Sequence, residues 1–293
     1  MKILITGATG QLGYHLQEIA SQENQGEEIL CPGRDELNMA DTESVDHYLC
    51  KHQPGYIINA AAYTAVDKSE SEAELALAIN RDAVEQMARY SIEQQCPLIQ
   101  VSTDFVFSGE QGKPYAPDSK CQPLGVYGSS KHEGELAALK SPHARVVRTA
   151  WVYSEHGANF VKTMLRLARE RDQLTVVADQ IGSPTYARNL AAFIWKLRDS
   201  SSEQNIFHCC DAGVCSWYDF ANGIFELAVD QGLLSQAPRV KPIRSEQYPT
   251  PAQRPHYSVL DCSASYEAVN AEPEHWRLAL TQMLNTLGEQ EKH

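Results

Sequence analysis

The opening residues constrain this chain more than any other stretch. Lys2-Ile3-Leu4-Ile5-Thr6 is an apolar run of strand length, and it breaks on Gly7-Ala8-Thr9-Gly10-Gln11-Leu12-Gly13, where glycine recurs at every third position. A helix-period pattern follows near 11–21, so the segment reads as strand, tight turn and helix. Glycine suits such a turn for three reasons. It permits the tight bend, it lets the backbone approach a ligand, and it allows the helix to pack closely on the strand. The first N–H groups of the helix then face outward at its positive dipole end, which suits a pyrophosphate. A strand that feeds a helix in this way returns by crossover to a parallel neighbour.

The rest of the first half repeats that unit. Strands are expected at Lys2 to Thr6, Glu28 to Cys31, Tyr56 to Asn59, Leu98 to Ser102 and Arg145 to Arg148, with helices near 11–21, 42–52, 71–95 and 125–140. Right-handed crossovers stack these into an α/β, doubly wound parallel sheet of Rossmann type, with its ligand at the carboxyl ends of the strands. Beyond residue 150 the pattern loosens. Helices are expected near 157–171, 187–198, 217–230 and 274–288, with short strands at Leu174 to Val177 and Asn205 to His208 and an irregular stretch over 236–255. The division expected is a dinucleotide-binding domain over 1–150 and a smaller C-terminal α/β substrate-binding lobe over 151–293, some of whose segments return to the first domain.

Composition excludes several classes. A formal charge of -13 over 293 residues argues against nucleic acid as a partner, because neutralising a phosphate backbone takes clustered Lys and Arg. No stretch approaches the roughly 20 apolar residues of a membrane span. The start of the chain reads as a strand rather than a secretory segment, and the expected location is the cytoplasm. The eight cysteines (31, 50, 96, 121, 209, 210, 215 and 262) have no CxxC pairing, so reduced thiols are expected. His208 with Cys209, Cys210 and Cys215 fits no common zinc spacing, and no metal is expected.

The residues just after the second strand bear on the choice of nucleotide. Gly33-Arg34 stands where an acidic residue would hold the ribose hydroxyls of NAD, and an Arg can pair with a 2′-phosphate. NADPH is therefore expected, with NADH possible; the alternative for Arg34 is a solvated loop charge. After the third strand, Ala60-Ala61-Ala62-Tyr63 offers small side chains where a loop must run close to a cofactor.

Tyr127-Gly128-Ser129-Ser130-Lys131 opens a helix, and a spacing of four places Tyr127 and Lys131 on one face. A ketone that accepts hydride develops negative charge on oxygen and needs a proton from a positioned acid. A phenol with a pKa near 10 becomes competent near neutrality if a fixed ammonium lowers that value, and Lys131 is suited to do so and to hold the nicotinamide ribose. Val101-Ser102-Thr103-Asp104 ends a central strand, where a hydroxyl can bond the substrate carbonyl. Thr103 is assigned that role, with Ser102 as the alternative because neighbours on a strand point to opposite faces.

With these residues in place, the chain resembles the dTDP-4-dehydrorhamnose reductase family of extended short-chain dehydrogenase/reductases. The resemblance rests on Gly7 to Gly13, Leu37 to Asp41, Asn59 to Lys68, Ser102 to Phe107, Val126-Tyr127-Gly128 with Lys131, and Arg148 to Tyr153. In the second half it rests on Asp179 to Thr185 and Arg254-Pro255. It implies transfer of hydride from NADPH to C4 of a nucleotide-linked 6-deoxy-4-ketohexose, with Tyr127 as acid, Lys131 as its support and Thr103 on the carbonyl. It further implies cofactor contacts from Gly7, Thr9, Gly10, Gln11, Leu12, Gly13, Arg34, Asn38, Ala60, Ala61, Ala62, Tyr63, Tyr127 and Lys131. Substrate contacts are implied for Val66, Thr103, Asp104, Phe105, Trp151 and Arg254, with core packing the alternative for Trp151. The family commonly has Asp in place of Asn38 and Tyr in place of Phe105. Some members dimerise around magnesium held by carboxylates; the matching positions here are His15 and Arg188, so a monomer or a magnesium-independent homodimer is expected.

Two other readings use the same residues. A sister sugar-nucleotide epimerase or dehydratase shares the scaffold, but a dehydratase carries Asp-Glu after the active-site Thr, and here the pair is Asp104-Phe105. A regulatory role like that of the methionine adenosyltransferase beta subunit is the other, and retention of Thr103, Tyr127 and Lys131 favours an enzyme. The exact sugar, the nucleotide and the configuration at C4 stay open.

Overall fold

Parallel strands buried on both faces need aliphatic side chains pointing both ways, and the first strand supplies them: Ile3, Leu4 and Ile5 are all fully buried. In the computed structural model, which describes residues 1–22 and 26–291, six strands form one parallel sheet. They are β1 (Lys2–Thr6), β2 (Glu28–Leu30), β3 (Tyr56–Asn59), β4 (Leu98–Thr103), β5 (Ala144–Thr149) and β7 (Ile206–His208), in the order β7-β5-β4-β3-β1-β2. The chain steps from β1 outward to β2, then returns to place β3 on the other side of β1. That reversal opens a crevice beyond the carboxyl ends of β1 and β3.

Alternation along the strands separates two cores. Ile3, Ile5, Ile58, Ile99 and Val147 meet helices α1 (Gln11–Gln22) and α6 (Ala187–Arg198) through Leu12, Leu16, Leu190, Ala191 and Ile194. Leu4, Ile57, Leu98 and Val146 face the other way, toward α2 (Thr42–His52), α3 (Ala83–Gln94) and α4 (Val126–Ala138). Helices on both faces make the sheet doubly wound, as the sequence predicts. A third core belongs to the second half, where α5 (Phe160–Glu170), α7 (Trp217–Asp230) and α8 (Trp276–Gln290) pack Val161, Leu165, Phe220, Ile224, Leu280 and Leu284 together. Two pieces of the second half join the first: β7 pairs with β5, and α6 lies beside α1.

Two expectations need correction. The helix expected over 71–95 is broken into a short helix (Ala73–Leu77), a π-helical turn (Ala78–Asp82) and α3. The break lies at Asn80, whose side chain accepts from Tyr63 N at 2.9 Å and donates to Ser130 Oγ at 3.0 Å, while a Cβ at Gly134 would collide with the Asn80 carbonyl. The π-turn sets that carbonyl against Gly134 of α4, while the side-chain amide reaches Tyr63 and Ser130. The stretch expected to be irregular over 236–255 contains β8 (Arg239–Ile243), paired in parallel with β6 (Gln173–Val177). Its charged and proline residues sit on a two-stranded edge exposed to water, where alternation carries little apolar signal.

Candidate active site

At the head of the sheet, Gly7 adopts φ 65°, in the left-handed region. A Cβ there would come within 2.7 Å of Ala61 N, and one at Gly13 would collide with the Gly7 carbonyl. The three glycines therefore let the turn, α1 and the loop after β3 share one small space. The loop is pinned by Ala61 N, which donates to Thr6 Oγ1 at 3.2 Å. On the outer side, a Cβ at Gly10 would meet only the Gly7 carbonyl, at 3.1 Å, so that face of the turn is open. The first N–H groups of α1, from Gln11, Leu12 and Gly13, lack partners within the helix and lie at its positive end. This edge fits a pyrophosphate.

The structure divides the predicted cofactor residues. Gly7, Gly10, Gly13, Ala60 and Ala61 come together at this edge, with Thr9 exposed beside them and Ala62 half-buried next along the loop. The Leu12 side chain is in the core with Leu16, so only its backbone faces the turn. Gln11 Oε1 accepts from Asn159 Nδ2 at 2.9 Å, which ties the start of α1 to the second half. Tyr63 turns its hydroxyl to Glu72 at 2.6 Å and is buried. Arg34 stands exposed on the turn beyond β2, and Asn38 Oδ1 accepts from Ala40 N at 3.1 Å, within the loop that leads to α2.

The second cluster forms where β4 ends against α4. Gly128 makes the approach possible, because a Cβ there would strike the Phe105 carbonyl. Tyr127 then lies edge-on to Phe105, with ring centres 5.4 Å apart. Burial pushes the Tyr127 phenol up to about 12; the Thr103 hydroxyl pulls it down and the Asp104 carboxylate pushes it further up. Lys131, buried one turn on, donates to Val101 O at 2.6 Å, and burial lowers its ammonium to about 8 against the pull of Glu135. The expected drop in the Tyr127 value is therefore absent from this arrangement: desolvation dominates at the phenol, and the Lys131 ammonium is directed at a carbonyl of β4. Asp104, also buried, is raised to about 6 by desolvation. Thr103 Oγ1 donates to Asp104 Oδ1 at 3.0 Å and accepts from Phe105 N at 3.2 Å.

Strand alternation separates the two candidate hydroxyls. The Thr103 hydroxyl acts on Tyr127, and Ser102, its neighbour on the strand, points to the other face. Beneath the Lys131 turn, Glu135 and Arg148 form a buried bidentate pair with both contacts at 2.8 Å. Burial alone would raise Glu135, but Arg148, with His132, holds it at about 2.

The predicted substrate residues come from several segments, with Thr103 and Asp104 buried at the end of β4. Val66 opens a short helix (Val66–Ser69), and the next residue, Asp67, accepts from Arg254 Nη2 at 2.9 Å, so the two halves of the chain meet there. Trp151 has φ 48°, a left-handed conformation that costs a bulky residue about 1–2 kcal/mol. Its ring is stacked on Trp217 with centres 3.5 Å apart, and a Cβ at Gly182 would press on it at 2.6 Å. At least one indole face is therefore covered by protein. Asn80, Glu135 and Trp217 were not singled out from the sequence. Asn80 sits inside a helix-period pattern; Glu135 carried one signal, an acidic residue on the buried side of α4.

A doubly wound parallel sheet, a glycine turn opening α1 and a Tyr-x-x-x-Lys helix beside a strand-end hydroxyl define a Rossmann-type protein of the short-chain dehydrogenase/reductase class. Within that class the chain belongs to the RmlD family: the model described as RmlD substrate binding domain matches residues 1–289. A dTDP-4-dehydrorhamnose reductase of Aggregatibacter actinomycetemcomitans is 40% identical over 285 residues, covering 95% of this chain and 97% of the relative. The crystal structure of a dTDP-4-dehydrorhamnose reductase from Clostridium acetobutylicum superposes with a TM-score of 0.91 at 36% identity, covering 98% of this chain and 100% of that one. A Bacillus anthracis dTDP-4-dehydrorhamnose reductase, solved in complex with NADP, gives 0.90 at 34% identity, covering 97% and 99%. Among the described residues no helix is long and apolar enough to cross a membrane.

Proposed function

We propose that this chain reduces the C4 ketone of dTDP-4-dehydro-L-rhamnose to dTDP-L-rhamnose. The observation that carries this is the convergence of Tyr127, Thr103 and Lys131 at the carboxyl edge of the sheet, beside an open glycine turn, in a member of the RmlD family. NADPH, when bound, supplies the hydride. Gly7, Gly10 and Gly13 with the first N–H groups of α1 would hold its pyrophosphate, Ala60 to Ala62 leave room for the rest, and Arg34 would meet a 2′-phosphate.

Tyr127 donates its proton to the carbonyl oxygen as negative charge builds there. A value near 12 suits that role, because the phenol stays protonated until an alkoxide forms to take the proton. Thr103 bonds the same oxygen and keeps Tyr127 oriented. Lys131, held against Val101 O one turn along the helix from Tyr127, would offer its ammonium to the ribose hydroxyls. Val66, Asp104, Phe105, Trp151 and Arg254 would line the sugar-nucleotide side, with Arg254 oriented by Asp67. Residues 1–150 act as the dinucleotide domain and 151–293 mainly as the substrate lobe, with β7 and α6 lent back to the sheet. We place the protein in the cytoplasm, as a monomer or a magnesium-independent homodimer without a nucleic-acid partner; its eight cysteines are all free.

Asp104-Phe105 in place of Asp-Glu leaves a dehydratase without its second acid/base group, and the family membership favours a reductase over both rival readings. Incubation with dTDP-4-dehydrorhamnose and NADPH tests the proposal. Stoichiometric loss of NADPH absorbance with formation of dTDP-rhamnose supports it, and release of water or absence of NADPH consumption sinks it.

A further inference from the structure

Away from the catalytic end, three side chains distant in sequence meet beside α1. His15 is fully buried on α1, and Glu155 and His156 come just after the two-residue strand Val152–Tyr153. One donor atom from each lies within 4.8 Å of the others. His15 Nε2 is 3.4 Å from Glu155 Oε2, and His156 Nε2 is 3.8 Å from Glu155 Oε1. Around a tetrahedral zinc ion with bonds of about 2.0–2.2 Å, two donors stand roughly 3.4 Å apart. The His15–Glu155 separation matches one edge of that tetrahedron, and the His156–Glu155 separation, made to the other carboxylate oxygen, exceeds it by a few tenths of an ångström.

The outer contacts hold these donors in place. His15 Nδ1 faces Glu18 Oε2 at 3.2 Å, the carboxylate–imidazole arrangement that fixes the tautomer and makes Nε2 the ligand atom; Nε2 lies 3.1 Å from Ser154 Oγ, a contact that a bound ion would replace. The Tyr186 hydroxyl donates to the Glu155 carboxylate at 3.2 Å, and the Tyr14 ring packs on His156 with centres 3.4 Å apart. Lys162, whose charge is felt at His156, has its ammonium taken by the Glu155 main-chain carbonyl at 2.9 Å. A second grouping, Cys121, His132 and Glu135, competes poorly. Both Glu135 oxygens already accept from Arg148, and the guanidinium repels a cation.

We propose that His15, Glu155 and His156 form a binding site for one divalent metal ion of the zinc class, which braces α1 against the loop after Tyr153. Two imidazoles and one carboxylate select zinc, or cobalt as its probe, over magnesium, which takes oxygen donors. The brace lies on the helix whose first residue, Gln11, is already tied to Asn159 by the same loop. The site is structural, and no step of the reduction passes through it. This departs from the expectation of no metal, which weighed the cysteine spacing and the position of His15 but had no means of bringing Glu155 and His156 beside it.

The test uses the full chain, stripped with a chelator and titrated with zinc chloride. Expected are one zinc per chain after gel filtration and a rise in melting temperature. Cobalt should give a d–d spectrum without a thiolate charge-transfer band. His156→Ala should weaken zinc at least about tenfold and abolish the thermal shift. Glu155→Gln, which keeps an acceptor for Tyr186, should weaken it likewise and stands in if the alanine variant does not fold. Absence of stoichiometric zinc would overturn the site, as would affinity unchanged in both variants or a thiolate band lost in Cys121→Ser.

Discussion

On the β4–β5 flank of the sheet's carboxyl edge, Thr103, Lys131, Glu135 and Arg148 are 6%, 3%, 1% and 2% exposed. On the β2 flank, Arg34 stands in solvent and Asn38 is half-buried. The first flank carries polar groups that have lost water and must satisfy one another, so each feels its neighbours strongly. The second keeps its cation hydrated, where a charge discriminates between ligands without supporting the fold. Substitutions on the two flanks should therefore differ in kind: turnover and stability on one, nucleotide choice on the other.

Tyr127→Phe should produce the largest effect. Loss of the acid should lower kcat about 10³-fold while NADPH affinity, read by fluorescence titration, stays within a few fold. Unchanged turnover would remove Tyr127 from the acid role. Glu135→Gln tests whether the buried flank is a unit. It leaves Arg148 charged and half-paired in the interior, so urea unfolding should show a loss of about 3–5 kcal/mol.

The pH dependence of that loss sharpens the comparison. Glu135 is held at about 2 in the fold, below the ordinary carboxylate value. Its contribution to stability is therefore complete above about pH 4.3 and disappears as pH falls from there toward 2. The stability gap between the parent and Glu135→Gln should narrow on acidification through that window; a gap constant from pH 6 to 3 would contradict the assignment.

Arg34→Ala should give the smallest effect. The preference for NADPH over NADH should fall about tenfold, the scale of one charge-assisted contact, with stability unchanged. If stability moves and preference does not, the contrast between the flanks fails.

Much of this was legible beforehand because it depends on local pattern. The unbroken apolar runs Ile3-Leu4-Ile5 and Tyr56 to Ile58 dictate a sheet buried on both faces, and the glycine spacing dictates a strand–turn–helix with an open helix end. The spacing of four places Tyr127 and Lys131 on one face of any helix they start. The features that stayed hidden depend on contacts across the chain. The π-turn at Asn80 is set by Gly134, β8 by its pairing with β6, and the Trp151 stack by Trp217, each far away in sequence.

The glycine turn shows the limit between the two. By itself the sequence determined that Gly7, Gly10 and Gly13 form a tight turn into α1, because no side chain fits the backbone they require. Only the tertiary structure decided that Ala61 closes on that turn, that Thr103 rather than Ser102 faces Tyr127, and that Lys131 bonds Val101 while burial holds the phenol high. Those outcomes depend on which groups lose water when the strands and α4 pack together, and desolvation is a property of the assembled neighbourhood.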